Sequence, residues 1–560
     1  MLFFTDHAVR APLFIALFLL VLLGAPLSWA VLAAAHAALE AQAWHDLLMD
    51  SQTGAALALT VWTGLAATLL SVAIAAQLLC SSFATPAWSR LVRALGSMLA
   101  VPHAAFAIGF VALIAPSGWV LRALSPWATG LDTPPPWVTT QDPWGLGLVA
   151  VLVFKEVPFL LWAAATQLQR AEVAQRFVRE IALARSMGYT HQRVWWRVVW
   201  PQLWPRLRWP LLAVLTYSLT VVDVALVIGP TSPPTLAPLA WSWLLDADLA
   251  RNAQGAAAAW LLAVLLALLA AGLWQLPKLG LWRRRWTTGE RGRGTSVNTG
   301  QHDLTRFSAL AVLAGTYVAI MTALAIGSVS GVWAFPALIP QTFTGSAWAS
   351  VASSVGTVGT TVGLALASTV TALIWSVAWL ESAPRRWDEL LRRAIYLPLV
   401  LPPVLWVIGV HAVALRWGID ATWPGLWLAH SLATIPYVLI ALSPAYMGFD
   451  ARYWHVTASL GHGRWVFLTR VKWPLLRAAL TSACAVGFAV SVAQYLPTLF
   501  VGAGRFATVT TEAVTLASGA QRSLTSAYAG LQWLLPVIGF GLAAWAGQAR
   551  RFSKEISRSH

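Results

Sequence analysis

Apolar residues in this chain come in long, nearly unbroken runs rather than in strand-like alternation. Runs of about 20 residues match a bilayer core that is ~30 Å thick. Spans are predicted at 11–35, 55–80, 95–115, 145–168, 208–230 and 256–276. A second set is predicted at 307–329, 354–380, 392–415, 424–447, 476–500 and 527–548. A helix satisfies its own backbone polar groups in lipid, so runs of this length read as helices. The predicted fold class is an all-α membrane protein with twelve transmembrane helices. The first run is too long for the apolar part of a secretory signal and reads as a retained helix.

The two sets define the expected domains: a first half at 1–276, a linker at 277–306 and a second half at 307–560. The linker is polar, basic and rich in glycine, with Arg283-Arg284-Arg285 followed by Gly289-Glu290-Arg291-Gly292-Arg293-Gly294. It reads as a flexible cytoplasmic connection. Its glycines lack the Gly-x4-Gly-Lys-Ser/Thr spacing that cradles phosphate, and no stretch of the chain has it.

An internal repeat relates the halves. Gly188 is followed thirteen residues later by Pro201, and Gly461 thirteen residues later by Pro474. Arg197-Val198-Val199-Trp200 precedes the first proline and Arg470-Val471-Lys472-Trp473 the second. Ser186 matches Ser459 at the same offset, and Gly229 matches Gly502. Pro102 to Gly109 mirrors Pro402 to Gly409, and the fourth spans carry Pro158 and Pro436. Six spans per repeat return each copy to the same orientation, so the expected symmetry is a pseudo-twofold along the membrane normal.

Charge orients the chain. It carries 37 Lys and Arg against 21 Asp and Glu, a net charge of +16, although 58% of residues are hydrophobic and mean hydropathy is +0.67. On these spans Arg122, Arg251, Arg416, Arg505 and Arg522 fall on one side, and Lys155 falls inside a span. The remaining cations fall on the side of the Arg170–Arg208 loop, which the positive-inside rule makes cytoplasmic. Nucleic-acid binding is excluded as the source of the charge, because a basic groove interleaves with stacking aromatics on a soluble surface. Among 34 tryptophans, Trp29, Trp282, Trp333 and Trp423 sit where spans meet headgroups. Cys80 and Cys484 lack the spacing of a metal site or disulfide framework.

The informative polar segments are the loops between the fourth and fifth spans. In the first, Val173, Phe177 and Ile181 recur every four residues and predict one apolar helix face. Arg176 can pair with Glu172 and Glu180. Gly188 then ends the helix in a left-handed cap. The second loop repeats the design around Ala458-Ser459-Leu460-Gly461 and Trp473-Pro474. A short amphipathic helix either packs along the membrane interface or enters a groove on a soluble partner. Two matched copies point to a partner with two equivalent grooves, as a dimer has.

These loops resemble the cytoplasmic signature of type I ABC importer permeases, E-A-A-x3-G-x9-I-x-L-P. The first copy reads Ala182-Leu183-Ala184-Arg185-Ser186-Met187-Gly188, then Val198-Val199-Trp200-Pro201. The second reads His455-Val456-Thr457-Ala458-Ser459-Leu460-Gly461, then Val471-Lys472-Trp473-Pro474. Gly and Pro match in both; the glutamate is Ala182 in one and His455 in the other, and Trp stands for Leu. The fused six-plus-six layout is similar to single-chain ferric-iron and thiamine permeases. The resemblance implies a permease that forms the translocation pathway and docks a cytoplasmic ATPase homodimer through Ala182, Ser186, Gly188, Pro201, Ala458, Ser459, Gly461 and Pro474. It also implies a periplasmic or lipid-anchored binding protein, a small solute, residence in a bacterial inner membrane, and ATP held by the partner rather than by this chain.

Charges at membrane depth are costly and face a bundle interior or a water-filled cavity. Lys155 and Glu156 are adjacent, so they point about 100° apart on a helix. Lys155 is therefore expected to pair with Asp223 of the fifth span, either as a structural pair or as part of a polar path. The second half offers Thr434, Gln494 and Tyr495 in the comparable regions. His103, His411 and His430 are scattered and read as interhelical hydrogen-bonding groups. The competing class is a secondary transporter with two parallel six-helix repeats. The repeated Gly-to-Pro loops argue against it, as does the lack of a Gly-x3-Asp-x-Gly-Arg-Arg-like stretch in 81–93. A membrane enzyme has no positive feature: no catalytic dyad, nucleophile elbow or metal-ligand cluster is legible.

Overall fold

The computed structural model describes residues 4–37, 39–83, 87–168, 171–275, 299–394, 401–519 and 521–548. The predicted linker lies outside the described residues up to 298, and helix Thr299–Ser328 begins within its last part. Described regular structure is helical apart from an isolated antiparallel bridge between Ser330 and Phe343.

Among the described residues nine helices are long and apolar enough to cross a membrane: Pro12–His36, Thr53–Ser82, His103–Leu124, Leu146–Leu168, Leu249–Gln275, Leu310–Ser328, Val355–Ser382, Trp423–Met447 and Arg522–Gln548. A tenth candidate is the pair Arg464–Leu475 and Arg477–Val492, bent by 75°. The third and fifth predicted spans are not straight single helices. The stretch 95–115 contains the end of an amphipathic helix, Ala87–Leu99, a break at Val101-Pro102, and a new helix, His103–Ile114. Pro102 has no N–H to continue the first ladder. The fifth span is Arg208–Thr220 followed by Asp223–Ile228; its repeat is Arg477–Val492 followed by Leu496–Gly502. Pro403–Arg416, in the second half's third span, has only 14 residues.

The chain forms two compact units whose borders cross the sequence repeats. One comprises Met1–His36, Ser346–Pro398 and Trp406–His560; the other comprises Ala37–Gly345 and Leu399–Leu405. The opening helix of each repeat thus packs with the body of the other repeat.

In the first of these units, Leu19, Leu23 and Ala30 of the opening helix join Trp375, Trp379, Val410, Ala429 and Leu439 in one core. Trp375 Nε1 donates to the Leu19 carbonyl at 3.1 Å. A Cβ at Gly409 would overlap the Ala30 carbonyl, so glycine lets the two helices approach backbone to backbone.

In the other unit, Thr299–Ser328 lies against His103–Ile114. A Cβ at Gly109 would run into Ile320. Tyr317 packs tilted against Phe106, 4.8 Å centroid to centroid, and its hydroxyl donates to the Phe154 carbonyl at 3.1 Å. The matched glycines 109 and 409 therefore mark the same crossing in each unit. Buried Arg122 holds the loop after this helix. It donates to the carbonyls of Ala334 at 2.9 Å, Ala337 at 2.6 Å and Trp333 at 3.1 Å, and lies 4.5 Å over the Trp333 ring. Those hydrogen bonds offset much of the cost of burying the guanidinium.

A threonine latch also recurs. Thr60 accepts from the Leu236 amide at 2.7 Å, and Thr361 accepts from the Val509 amide at 2.9 Å. Each satisfies an N-terminal amide that its helix leaves without an intrahelical partner.

Candidate coupling loops and buried polar groups

The first loop is the helix Ala171–Ser186, a short turn, and the helical stretch from His191 to Leu203. Gly188 has φ +87°. Its amide donates to the Arg185 carbonyl at 3.0 Å, and the Tyr189 amide donates to that of Ala184 at 3.2 Å. This is a Schellman cap, which requires the left-handed conformation that glycine adopts without a Cβ penalty. The second loop repeats it: Gly461 at φ +76°, its amide on Ala458 at 3.0 Å, and His462 on Thr457 at 3.2 Å.

Before each proline the helix widens into a π turn, Trp195–Val199 and Leu468–Lys472. The Trp200 amide reaches back to Trp195, and Trp473 to Leu468. A proline at the next position clashes with the carbonyl four residues earlier, here Arg197 and Arg470, and displaces the ladder. Thus Gly188, Pro201, Gly461 and Pro474 act through the backbone: the glycines stop the loop helices and the prolines set how the chain enters the fifth spans.

The side chains divide as the four-residue spacing predicts. Phe177 and Ile181, joined by Ala184, are buried and Val173 is half-buried, whereas Ala182, Ser186, Ala458 and Ser459 are exposed. On the exposed side Leu183 and Met187 are 63% and 53% accessible, and their repeat mates Val456 and Leu460 are 58% and 70% accessible. Exposed apolar pairs one helical turn apart, matched in both loops, leave a small apolar face exposed on each.

The loops are braced differently. Arg176 Nε donates to Glu180 Oε1 at 2.7 Å, and Gln202 Nε2 to Glu180 Oε2 at 2.8 Å. Glu180 thereby ties the helix Ala171–Ser186 to the residue after Pro201. Partial desolvation pushes its carboxyl up, but the hydrogen bonds from Arg176 and Gln202 and the charges of Arg176 and Arg206 outweigh this and hold it below the usual carboxylate range. The side chain of Glu172, the other expected partner of Arg176, lies outside the described residues. In the second loop the carboxylate is Glu381, from the end of Val355–Ser382; it accepts from Arg464 and Lys472. Sequence reasoning missed Glu381, because it lies in a different element far from the loop it grips.

The expected Lys155–Asp223 pair is not formed. Lys155 Nζ donates instead to the Val101 carbonyl at 2.6 Å and the Met98 carbonyl at 3.4 Å, with the rings of Phe106 and Tyr317 5.9 and 5.7 Å away. The chain break at Pro102 strands carbonyls at the end of Ala87–Leu99, where the helix dipole also favours a cation. Glu156 approaches His103 at 3.5 Å, and His103 lies against Tyr217 with centroids 4.5 Å apart. Asp223 opens its own short helix, Asp223–Ile228. The Lys155 ammonium is thus met locally, by backbone carbonyls at a helix break.

In the second repeat, Gln494 and buried Tyr495 fall in the break of the fifth span, and the Gln494 carbonyl accepts from Thr498 at 3.0 Å. Thr434 Oγ1 donates to the His430 carbonyl at 2.7 Å. His430 bridges Ser491 and Thr498, each at 2.9 Å, so its reading as an interhelical hydrogen-bonding group holds.

No family model matches the chain. It is 34% identical over 534 residues to the inner membrane ABC transporter permease protein YnjC of Escherichia coli K12, covering 94% of this chain and 95% of that protein. It is 28% identical over 134 residues to the thiamine transport system permease protein ThiP of Brucella suis, covering 21% of this chain and 25% of that protein. Over 159 residues it is 31% identical to the molybdenum transport system permease protein ModB of Mycobacterium bovis, covering 26% of this chain and 60% of that one.

Proposed function

Because this chain belongs to the ABC transporter permease family, we propose that it is the inner-membrane permease of a binding-protein-dependent importer, driven through its two matched loops by a cytoplasmic ATPase dimer. Its helices line the path of a small solute that a periplasmic or lipid-anchored protein delivers. ATP is bound and hydrolysed by the partner dimer, and this chain performs no chemistry of its own. Thiamine and molybdenum in the names of partly similar permeases favour a small polar solute.

The observation that carries the reading is the exposed pair Leu183/Met187 and its mate Val456/Leu460, each beside a left-handed glycine cap. Partly matched loops on one chain fit two equivalent grooves. The eight residues Ala182, Ser186, Gly188, Pro201, Ala458, Ser459, Gly461 and Pro474 shape these faces. The groups at membrane depth, Lys155, Glu156, Asp223, Gln494 and Tyr495, hold the broken helices that border the path.

The test is reconstitution of the chain in liposomes with an ABC ATPase and a binding protein from the same genome neighbourhood, with thiamine and molybdate as probes. Uptake that needs internal ATP and the binding protein supports the reading. Uptake by the chain alone on a proton or sodium gradient overturns it in favour of a secondary transporter.

A further inference from the structure

The two loop braces are exclusive. In the second repeat, Glu381 Oε1 accepts from Lys472 Nζ at 2.5 Å and from the Tyr446 hydroxyl at 2.7 Å; Oε2 accepts from Arg464 Nη2 at 2.9 Å. The same Arg464 nitrogen also donates to the Glu381 carbonyl at 2.6 Å. The Lys472 ammonium lies 4.0 Å over the Tyr446 ring, and Trp473 Nε1 donates to the Tyr446 hydroxyl at 3.1 Å. Arg464 and Lys472 stand at the two ends of the segment between the docking helix and Pro474. One carboxylate therefore ties the ends of Val355–Ser382 and Trp423–Met447 to both ends of that segment. The Glu381 and Lys472 side chains are 16% and 13% accessible, so water and salt screen their bond weakly.

The repeat shows what the first half has instead. Counting from the Thr60 and Thr361 latches puts Cys80 where Glu381 stands. The loop offset puts His191 and Val199 where Arg464 and Lys472 stand, and the matched prolines 158 and 436 put Leu168 where Tyr446 stands. All four members change together. Conversely, Arg176, Glu180 and Gln202 of the first brace correspond to Phe449, Tyr453 and Leu475 in the second repeat. A carboxylate within the loop braces one copy, and a carboxylate from a membrane helix braces the other.

We propose that Glu381 is a positioning residue that fuses the second docking loop to the inner ends of its membrane helices, so that the loop and helices move as one body when the ATPase moves the loop. In the first loop the carboxylate Glu180 closes on that loop's own Arg176 and Gln202. The inference rests on the docking reading above.

The experiment uses the full chain with its ATPase in nanodiscs, with Cys80 and Cys484 replaced by alanine. Spin labels at Arg470→Cys and Leu366→Cys report the second loop against its helix; labels at Arg197→Cys and Leu69→Cys report the first. Distances are read without nucleotide and after vanadate trapping. The expected result is a superimposable distribution for the second pair, with the first pair as the comparison. Glu381→Gln should make the second pair shift, with ATPase co-purification unchanged. Arg464→Gln should do the same and serves where Glu381→Gln folds poorly. A second pair that shifts with the brace intact, or that stays fixed in both variants, overturns the strut. Loss of co-purification in the variants also overturns it, placing Glu381 in shaping the dock and leaving docking itself intact. Failure of the unmodified chain to hold the ATPase overturns the docking reading and this inference together.

Discussion

The two repeats share their backbone devices and differ in the chemistry at corresponding depths. Both have a left-handed glycine cap, a π turn before proline, a threonine latch and a glycine at the crossing with an exchanged helix. At membrane depth, however, the first repeat places Lys155, Glu156 and His103, and the second places His430 between Ser491 and Thr498. A cap or latch answers a backbone group that any copy of the fold leaves exposed, so both copies keep it. Side-chain polarity answers to local breaks and to function, so the copies diverge.

The largest expected effect tests whether the two proposed docking faces are equivalent. Replacing Leu183, Met187, Val456 and Leu460 by glutamate should put charges into both grooves. Truncating or mismatching a buried interfacial group costs about 2–5 kcal/mol, so ATPase affinity in a pull-down titration should fall by more than ~100-fold. Changing either pair alone should give a partial loss. If one pair alone abolished binding and the other did nothing, the loops would not be equivalent docks.

Next in size is the first repeat's buried charge. Lys155→Met should lower stability by about 2–3 kcal/mol, because the Val101 carbonyl loses its donor. Asp223→Asn should cost less, and the double variant should be additive within ~0.5 kcal/mol. Thermal unfolding in detergent reads both. Recovery in the double variant would restore the Lys155–Asp223 pair that the geometry argues against.

Gly188→Ala and Gly461→Ala should each cost about 1 kcal/mol from left-handed strain. Nothing lies within 4 Å of a Cβ built at either site, so crowding should add nothing. Unequal losses in hydrogen-exchange protection of the preceding helices would show that the caps differ despite their matching bonds.

The smallest effect is on pH. The native Glu180 carboxyl titrates below its ordinary value, which is about 4.3. Its brace therefore contributes fully above that value and is lost as pH falls through the lower native one. The exposed Arg176 limits the gain to a few tenths of a kcal/mol. Exchange protection of 171–186 should fall in acid in the native chain, and this step should be absent in Glu180→Gln.

Much of the architecture was legible along the chain. Apolar run length gave the membrane helices, and Gly188/Pro201 with Gly461/Pro474 located the loops whose caps the structure shows. The breaks in the third and fifth spans were not legible, because hydropathy measures solubility in lipid and is blind to a missing N–H at Pro102 within an apolar run. The Lys155 partner was missed for a related reason: pairing was sought between opposite charges, and the acceptors are backbone carbonyls that only the break exposes.

By itself, the sequence determined the number and repetition of apolar segments, the basic side, and the positions where only glycine or proline suits the backbone. These are local properties of composition and φ, carried by each residue wherever the chain goes. Tertiary structure alone decided that the opening helix of each repeat packs with the other repeat, since Gly109 and Gly409 record a close crossing without naming the helix that crosses. It alone decided that Glu381 grips Arg464 and Lys472. Both depend on which distant segments are brought together, and no periodicity or spacing within a single segment encodes that choice.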